Sequence, residues 1–120
     1  LNVKPKTVTT TTTNRDDQLD LIFHALANRT RRALLALLAK GPSRVTDLAE
    51  PFGVSLNAIS KHLAVLEKAG LVSRRIDGRV HHCALVADPM ASAGEWIAAY
   101  ERFWSARLDS FVDYVENEMD

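Results

Sequence analysis

Asn57, Ser60 and Lys61 stand three and four residues apart in the stretch VSLNAISKHLAVLEKAGLV, residues 54–72. On a helix that spacing gathers all three into one patch. Their chemistry suits the edges of base pairs. Asn makes paired hydrogen bonds to adenine, Lys donates to guanine acceptors, and Ser serves either. The same patch would also make an ordinary solvated helix surface. His62 lies at the edge of this face beside apolar Leu63, and two roles are open to it: contact with a polyanion, or a half-buried ring holding a backbone group. Ser55 can cap the helix and donate to a phosphate, because helix N-termini favour anions. An arginine-rich run follows, with Arg74, Arg75 and Arg79. Arg79 falls where a hairpin tip can reach a minor groove or a phosphate. Arg74 and Arg75 alternate along a strand, so at most one of them faces a duplex. Arg31 and Arg32 are expected to pair with acids inside the fold.

Charge is distributed unevenly behind a net value of zero, from 15 basic and 15 acidic residues. Residues 28–44 carry Arg29, Arg31, Arg32, Lys40 and Arg44 and no acid, whereas 88–120 carry eight acids against Arg102 and Arg107. A neutral chain with a basic middle can meet a polyanion with one part only; alternatively the charges only solvate helix surfaces. A length of 120 residues and 47% hydrophobic content suit one domain with a packed core. No apolar run approaches the roughly 18 residues needed to span a bilayer, and the polar, threonine-rich start is unlike a signal peptide. A cytoplasmic location follows as the default. Cys83 is the sole cysteine, which excludes an internal disulfide, and the four histidines have no zinc-site spacing.

The elements that must position these residues are legible in the pattern. Residues 1–15 are of low complexity and read as a disordered arm, leaving 16–120 as the folded unit. Leu19, Ile22, Phe23 and Leu26 mark a first helix over about 16–27. Asn28 caps a second, ending before Gly41-Pro42. A third fits 45–52, limited by Pro51. Ser55 caps a fourth, 55–69, with Ala58, Ile59, Leu63, Val65 and Leu66 turned inward, and Gly70 closes it. Alternation then replaces helical periodicity, and Asp77-Gly78 signals a hairpin over 71–86. Helix, turn, helix and hairpin in this order make a mainly α fold with a small β-hairpin, a winged helix-turn-helix of about five helices plus a two-stranded wing.

Asp88 can cap a last helix, 89–118. Trp96, Tyr100, Phe103, Trp104, Leu108 and Phe111 form an apolar stripe along it at helical spacing. Part of this stripe must pack within the chain, but it exceeds what so small a domain covers. With Leu19, Ile22 and Phe23 of the first helix it is expected to form a homodimer seam.

The stretches FHALANRTRRALLALL (23–38), VTDLAEPFGVSLNAISKHLAVLEKAGLVSRR (45–75) and DGRVHHCAL (77–85) together resemble the ArsR/SmtB family of bacterial winged-helix repressors, over about residues 17–118. The resemblance implies a homodimer that binds double-stranded operator DNA, usually as an autorepressor, and releases it on sensing a ligand. It implies that the fourth helix enters the major groove, that the wing lies near the minor groove, and that the Ser-x-His positions, here Ser60 and His62, touch DNA. A two-fold dimer implies an inverted-repeat operator with half-sites about one turn apart.

The chain departs from the family's metal sensors. The stretch matching their Cys-x-Cys site is Val45–Ala49, without cysteine, and residues 89–118 contain no histidine. No metal site and no cofactor are therefore expected. His81 and Cys83 share one side of a strand and could serve a metal- or thiol-responsive repressor, but two ligands are too few for a structural zinc, and disulfide sensors of the family use two cysteines. A small apolar ligand between the aromatic helices is another alternative to a purely dimeric role for Trp96, Tyr100 and Trp104; the effector is unknown. An enzyme is not expected, because neither a nucleophile constellation nor a phosphate-binding glycine loop is present. A winged helix used for protein–protein contact is the remaining rival.

Overall fold

The computed structural model describes residues 3–119, with side chains for 15–118. Helix α1 (Val3–Leu26) is followed by α2 (Arg29–Leu38), strand β1 (Ser43–Arg44) and α3 (Val45–Ala49), which runs into a 3-10 turn (Glu50–Phe52). Helix α4 (Leu56–Lys68), strands β2 (Val72–Asp77) and β3 (Val80–Leu85) and helix α5 (Asp88–Met119) complete the chain. This is the expected helical fold with a hairpin wing. All but the last residue of the arm expected over 1–15 lies outside the residues whose side chains are described.

Local chemistry accounts for the element ends. Asn28 is extended (φ −129°, ψ 131°), and its Oδ1 accepts a hydrogen bond from the Arg31 amide at 3.1 Å, which starts α2. Ser55 does the same for α4: its Oγ accepts from the Ala58 amide at 3.1 Å. At the far end of α4 the Leu71 amide donates to Leu66 O and the Gly70 amide to Glu67 O, both at 2.9 Å, the paired bonds of a Schellman motif. Gly70 takes the left-handed φ of +79° that this motif needs. A Cβ there would stand 3.4 Å from the side chains of Gln18 and Pro89. Gln18 in turn donates from Nε2 to Ala69 O at 2.8 Å, tying α1 to the end of α4.

Four details differ from expectation, the first being that α1 begins at Val3 rather than near residue 16. The third helix is shorter, because α-helical geometry gives way at Glu50 to a 3-10 turn around Pro51, which lacks an amide hydrogen. The sheet has three strands in the order β1-β3-β2, with Ser43 paired to Cys83 and Arg44 to His82 on the outer edge of the wing. Two residues are too short to show any alternation, so β1 left no trace in the sequence. The hairpin turn is Gly78-Arg79 rather than Asp77-Gly78, since Asp77 pairs with Val80. Gly78 has φ +65° and Arg79 does not have a positive φ, the pattern of a turn with glycine in its first central position.

The core is shared by all five helices and the two wing strands. Ile22 and Ala25 of α1, Leu34 and Leu38 of α2, Leu48 of α3, and Ile59, Leu63 and Leu66 of α4 pack together with Leu71, Val72 and Cys83 of the wing root. Among the described residues of α5, Ala93 alone joins this core. Ile22, expected at the dimer seam, is wholly buried within the protomer.

Arg31 is the charged residue inside this core, 8% exposed. It does not meet an acid. Its Nε donates to Ala25 O at 2.9 Å, its Nη2 to His24 O at 2.9 Å, and its Nη1 faces His62 Nδ1 at 3.2 Å. Arg32 donates from Nη1 to Leu26 O at 2.7 Å at the surface. The last carbonyls of a helix lack intrahelical partners and carry the negative end of its dipole, so they draw both guanidiniums. Replacing Arg31 with Met should lower the unfolding free energy by about 3 kcal/mol, and replacing Arg32 with Met by less than about 1 kcal/mol. Urea unfolding followed by circular dichroism at matched protein concentration measures both; equal losses would contradict the assignment of the cap to Arg31.

Candidate nucleic-acid interface

Helix α4 turns Ile59, Leu63 and Leu66 into the core and leaves Asn57 and Lys61 exposed. Ser60 is half-buried, because it faces the wing rather than open solvent. It lines a cleft of about 360 Å³ together with Arg44, Thr46, Arg74, Arg79 and His81. The first turn of α4, the start of α3 and the hairpin therefore share one concave surface, apolar over most of its exposed lining through Val45, Leu56 and Val80 and bordered by three arginines. Arg79 is exposed at the hairpin tip, and Arg75 is exposed on the strand. Ser55 is also exposed; its oxygen caps α4, while its hydroxyl hydrogen remains available to an anion.

Arg74 is placed differently from Arg75. Its Nη2 pairs with Glu67 Oε1 at 2.9 Å and its Nη1 contacts His81 Nδ1 at 3.1 Å. Its Nε is buried without a partner. This guanidinium joins the last turn of α4 to both wing strands, whereas Arg75, next along the strand, is exposed. Sequence reasoning missed Glu67 and Arg44, and nothing periodic marks either. Arg44 lines the cleft while forming an exposed pair with Asp47 at 3.1 Å, an arrangement worth little to stability.

A second surface is apolar. Trp96 meets Phe23 of α1 edge-on at 5.8 Å and stacks on Tyr100 at 5.3 Å. Tyr100 continues to Trp104 at 6.2 Å. Along α5, Trp96, Tyr100, Phe103, Trp104, Leu108 and Phe111 are each about half exposed or more, and Leu19 and Phe23 beside them are half-buried. The portion expected to pack within one chain is thus small. The radius of gyration, 20.4 Å, is well above the roughly 14 Å of a compact chain this long, as α5 projects from the core.

These features can be set beside known proteins. A helix-turn-helix domain family matches residues 26–75. The HTH-type transcriptional regulator Rv2034 of Mycobacterium tuberculosis is 38% identical over 103 residues, covering 84% of this chain and 92% of that protein. The crystal structure of an ArsR family transcriptional regulator, RHA00566, superposes with a TM-score of 0.72 at 39% identity, covering 75% of this chain and 93% of that one. The chain belongs to the ArsR/SmtB family. Among further relatives, the transcriptional repressor SdpR of Bacillus subtilis is 32% identical over 63% of this chain and 84% of its own length. A homodimeric winged helix-turn-helix DNA-binding domain from Mycobacterium bovis, Mb0332, is 31% identical with a TM-score of 0.58, over 72% of this chain and 82% of that one.

Among the described residues no group of three or more His, Cys, Asp or Glu side chains is placed to hold an ion. His81 is held by Arg74. Cys83 is wholly buried at the wing root. Burial pushes its thiol above the usual range, with nearby Arg74 lowering it and Glu67 raising it less strongly. A thiol raised in the folded state stabilises the fold fully below the unfolded value, 9.0, and loses that contribution as pH rises through the folded value. The native protein should therefore react with a thiol reagent near neutral pH far more slowly than the urea-unfolded chain, and Cys83→Ala should flatten the loss of stability above pH 9. Rapid reaction of the native thiol would instead mark a sensor cysteine.

Proposed function

We propose that this protein is a homodimeric, sequence-specific transcriptional repressor that reads an inverted-repeat operator with α4 and touches the flanking groove with its wing. The observation that carries this reading is the exposure of Asn57 and Lys61 on one face of α4, with Ser60 of the same helix lining a cleft that Arg79 of the hairpin tip also lines. Asn57 and Lys61 supply the groups that read base edges, and Ser60 adds a hydroxyl on the wing side. Arg75, Arg79 and Ser55 supply phosphate contacts. The exposed aromatic stripe of α5 with Leu19 and Phe23 supplies the dimer seam, as such a stripe is unstable in water alone. Membership of the family and the homodimeric Mb0332 domain support the same assembly. No helix among the described residues is long and apolar enough to cross a membrane.

Fluorescence anisotropy on the chain's own upstream intergenic DNA, against a scrambled duplex at two salt concentrations, tests the proposal. Binding that persists on the cognate duplex near physiological salt is expected; equal, salt-labile binding to both would defeat it. Lys61→Ala and Ser60→Ala should each weaken cognate binding, by about ten- to hundredfold for Lys61, with the dimer intact. Arg79→Ala should reduce the salt slope by about one. Trp104→Glu should yield a monomer in analytical ultracentrifugation and abolish cognate binding; a dimeric Trp104→Glu protein would remove α5 from the seam.

A further inference from the structure

We infer that Arg31 is a positioning residue that fixes His62 as a neutral hydrogen-bond donor toward a phosphate of the bound duplex. This rests on the reading of α4 as the DNA-reading helix. A guanidinium has only donors and keeps its charge in proteins. Nη1 of Arg31 lies 3.2 Å from Nδ1 of His62, so Nδ1 must accept, and the ring must carry its proton on Nε2. Arg31 cannot turn to suit another ring state. Its other two donor groups are held by Ala25 O and His24 O, and the residue is buried.

Among the described residues Nε2 of His62 has no hydrogen-bond partner, yet the buried side-chain polar atom left without one is Nε of Arg74. The Nε2–H group is therefore open to solvent. Its place on α4 indicates what it meets. His62 follows exposed Lys61 and so lies roughly 100° farther round the helix, toward α2 and away from the Ser60 side that faces the wing. With Asn57 and Lys61 aimed at the groove floor, a donor on this flank meets the groove wall, which is lined with phosphate oxygens. A neutral donor displaces no counterion, so the contact adds affinity without adding to the salt slope, unlike those of Lys61 and Arg79.

Nitrogen-15 spectra of the imidazole and DNA titrations test this together. In the free protein, Nδ1 of His62 should give the signal of an unprotonated ring nitrogen and Nε2 that of a protonated one. In Arg31→Met the two signals should move toward an average of tautomers. A glutamine amide reaches the place of Nε2, whereas asparagine reaches only that of Nδ1. His62→Gln should thus bind the upstream duplex more weakly than the wild type but about tenfold more tightly than His62→Asn, all three with one salt slope. Equal weakness of the Gln and Asn proteins, a shallower slope for both, or a protonated Nδ1 would overturn the proposal, and the Gln–Asn pair decides even if Arg31→Met does not fold. Failure of the wild type to bind its upstream DNA would remove the phosphate contact along with the DNA-reading role of α4, while the spectra would still show whether Arg31 orients the ring.

Discussion

One guanidinium closes the corner where α1 ends and α2 begins, and the same group reaches the middle of α4. Arg31 spends its Nε and Nη2 donors on the carbonyls of Ala25 and His24 and turns Nη1 to His62. A buried cation normally calls for a carboxylate. Here the negative end of a helix dipole serves instead, supplied by carbonyls of the last turn of α1, where His24 O also accepts from the Ala27 amide at 3.2 Å. Lysine could not substitute, because its single ammonium cannot span three acceptors in a planar fork. The helix carrying Phe23 and the helix carrying Lys61 are thereby set relative to one another by a rigid group rather than by apolar packing alone.

The remaining restraints on α4 act at its ends. Ser55 fixes the first turn, and the Schellman bonds at Gly70 together with Gln18 fix the last. Glu67 then passes the position of α4 to the wing through Arg74, and β1 holds the other edge of β3. Helix α4 and the wing are one preorganised unit, so little ordering remains to be done when a ligand is engaged. Residues 75–80 around the hairpin tip are exposed, and this is where Arg79 stands.

Much of this was legible in the sequence because it is local. Asn28, Ser55 and Gly70 announce helix ends through contacts within a few residues of themselves, and the inward set of α4 repeats with the helical period. The face bearing Asn57 and Lys61 follows from that period by elimination. What could not be read are contacts between elements. Arg31 and His62 are 31 residues apart, and Gln18 and Ala69 are 51 apart; no period links them. The expectation that Arg31 would find an acid failed because backbone carbonyls, present at every residue, leave no mark in a sequence. Ile22 was assigned to the seam because it shares a helix with Leu19 and Phe23, and adjacent positions on one helix can face opposite neighbours. The tie between Glu67 and Arg74 crosses from helix to strand, where neither periodicity applies.

The exposed stripe of α5 has a thermodynamic consequence if the proposed seam covers it. An assembly whose apolar surface is buried only between chains folds by a bimolecular reaction, so its melting temperature rises with protomer concentration. Expression level then sets the populated fraction of paired chains as well as their number. At low protomer concentration the chain would be left as monomers with a bare aromatic helix, open to proteolysis. Abundance would thus act as a threshold, and the chain's own output would determine when that threshold is crossed.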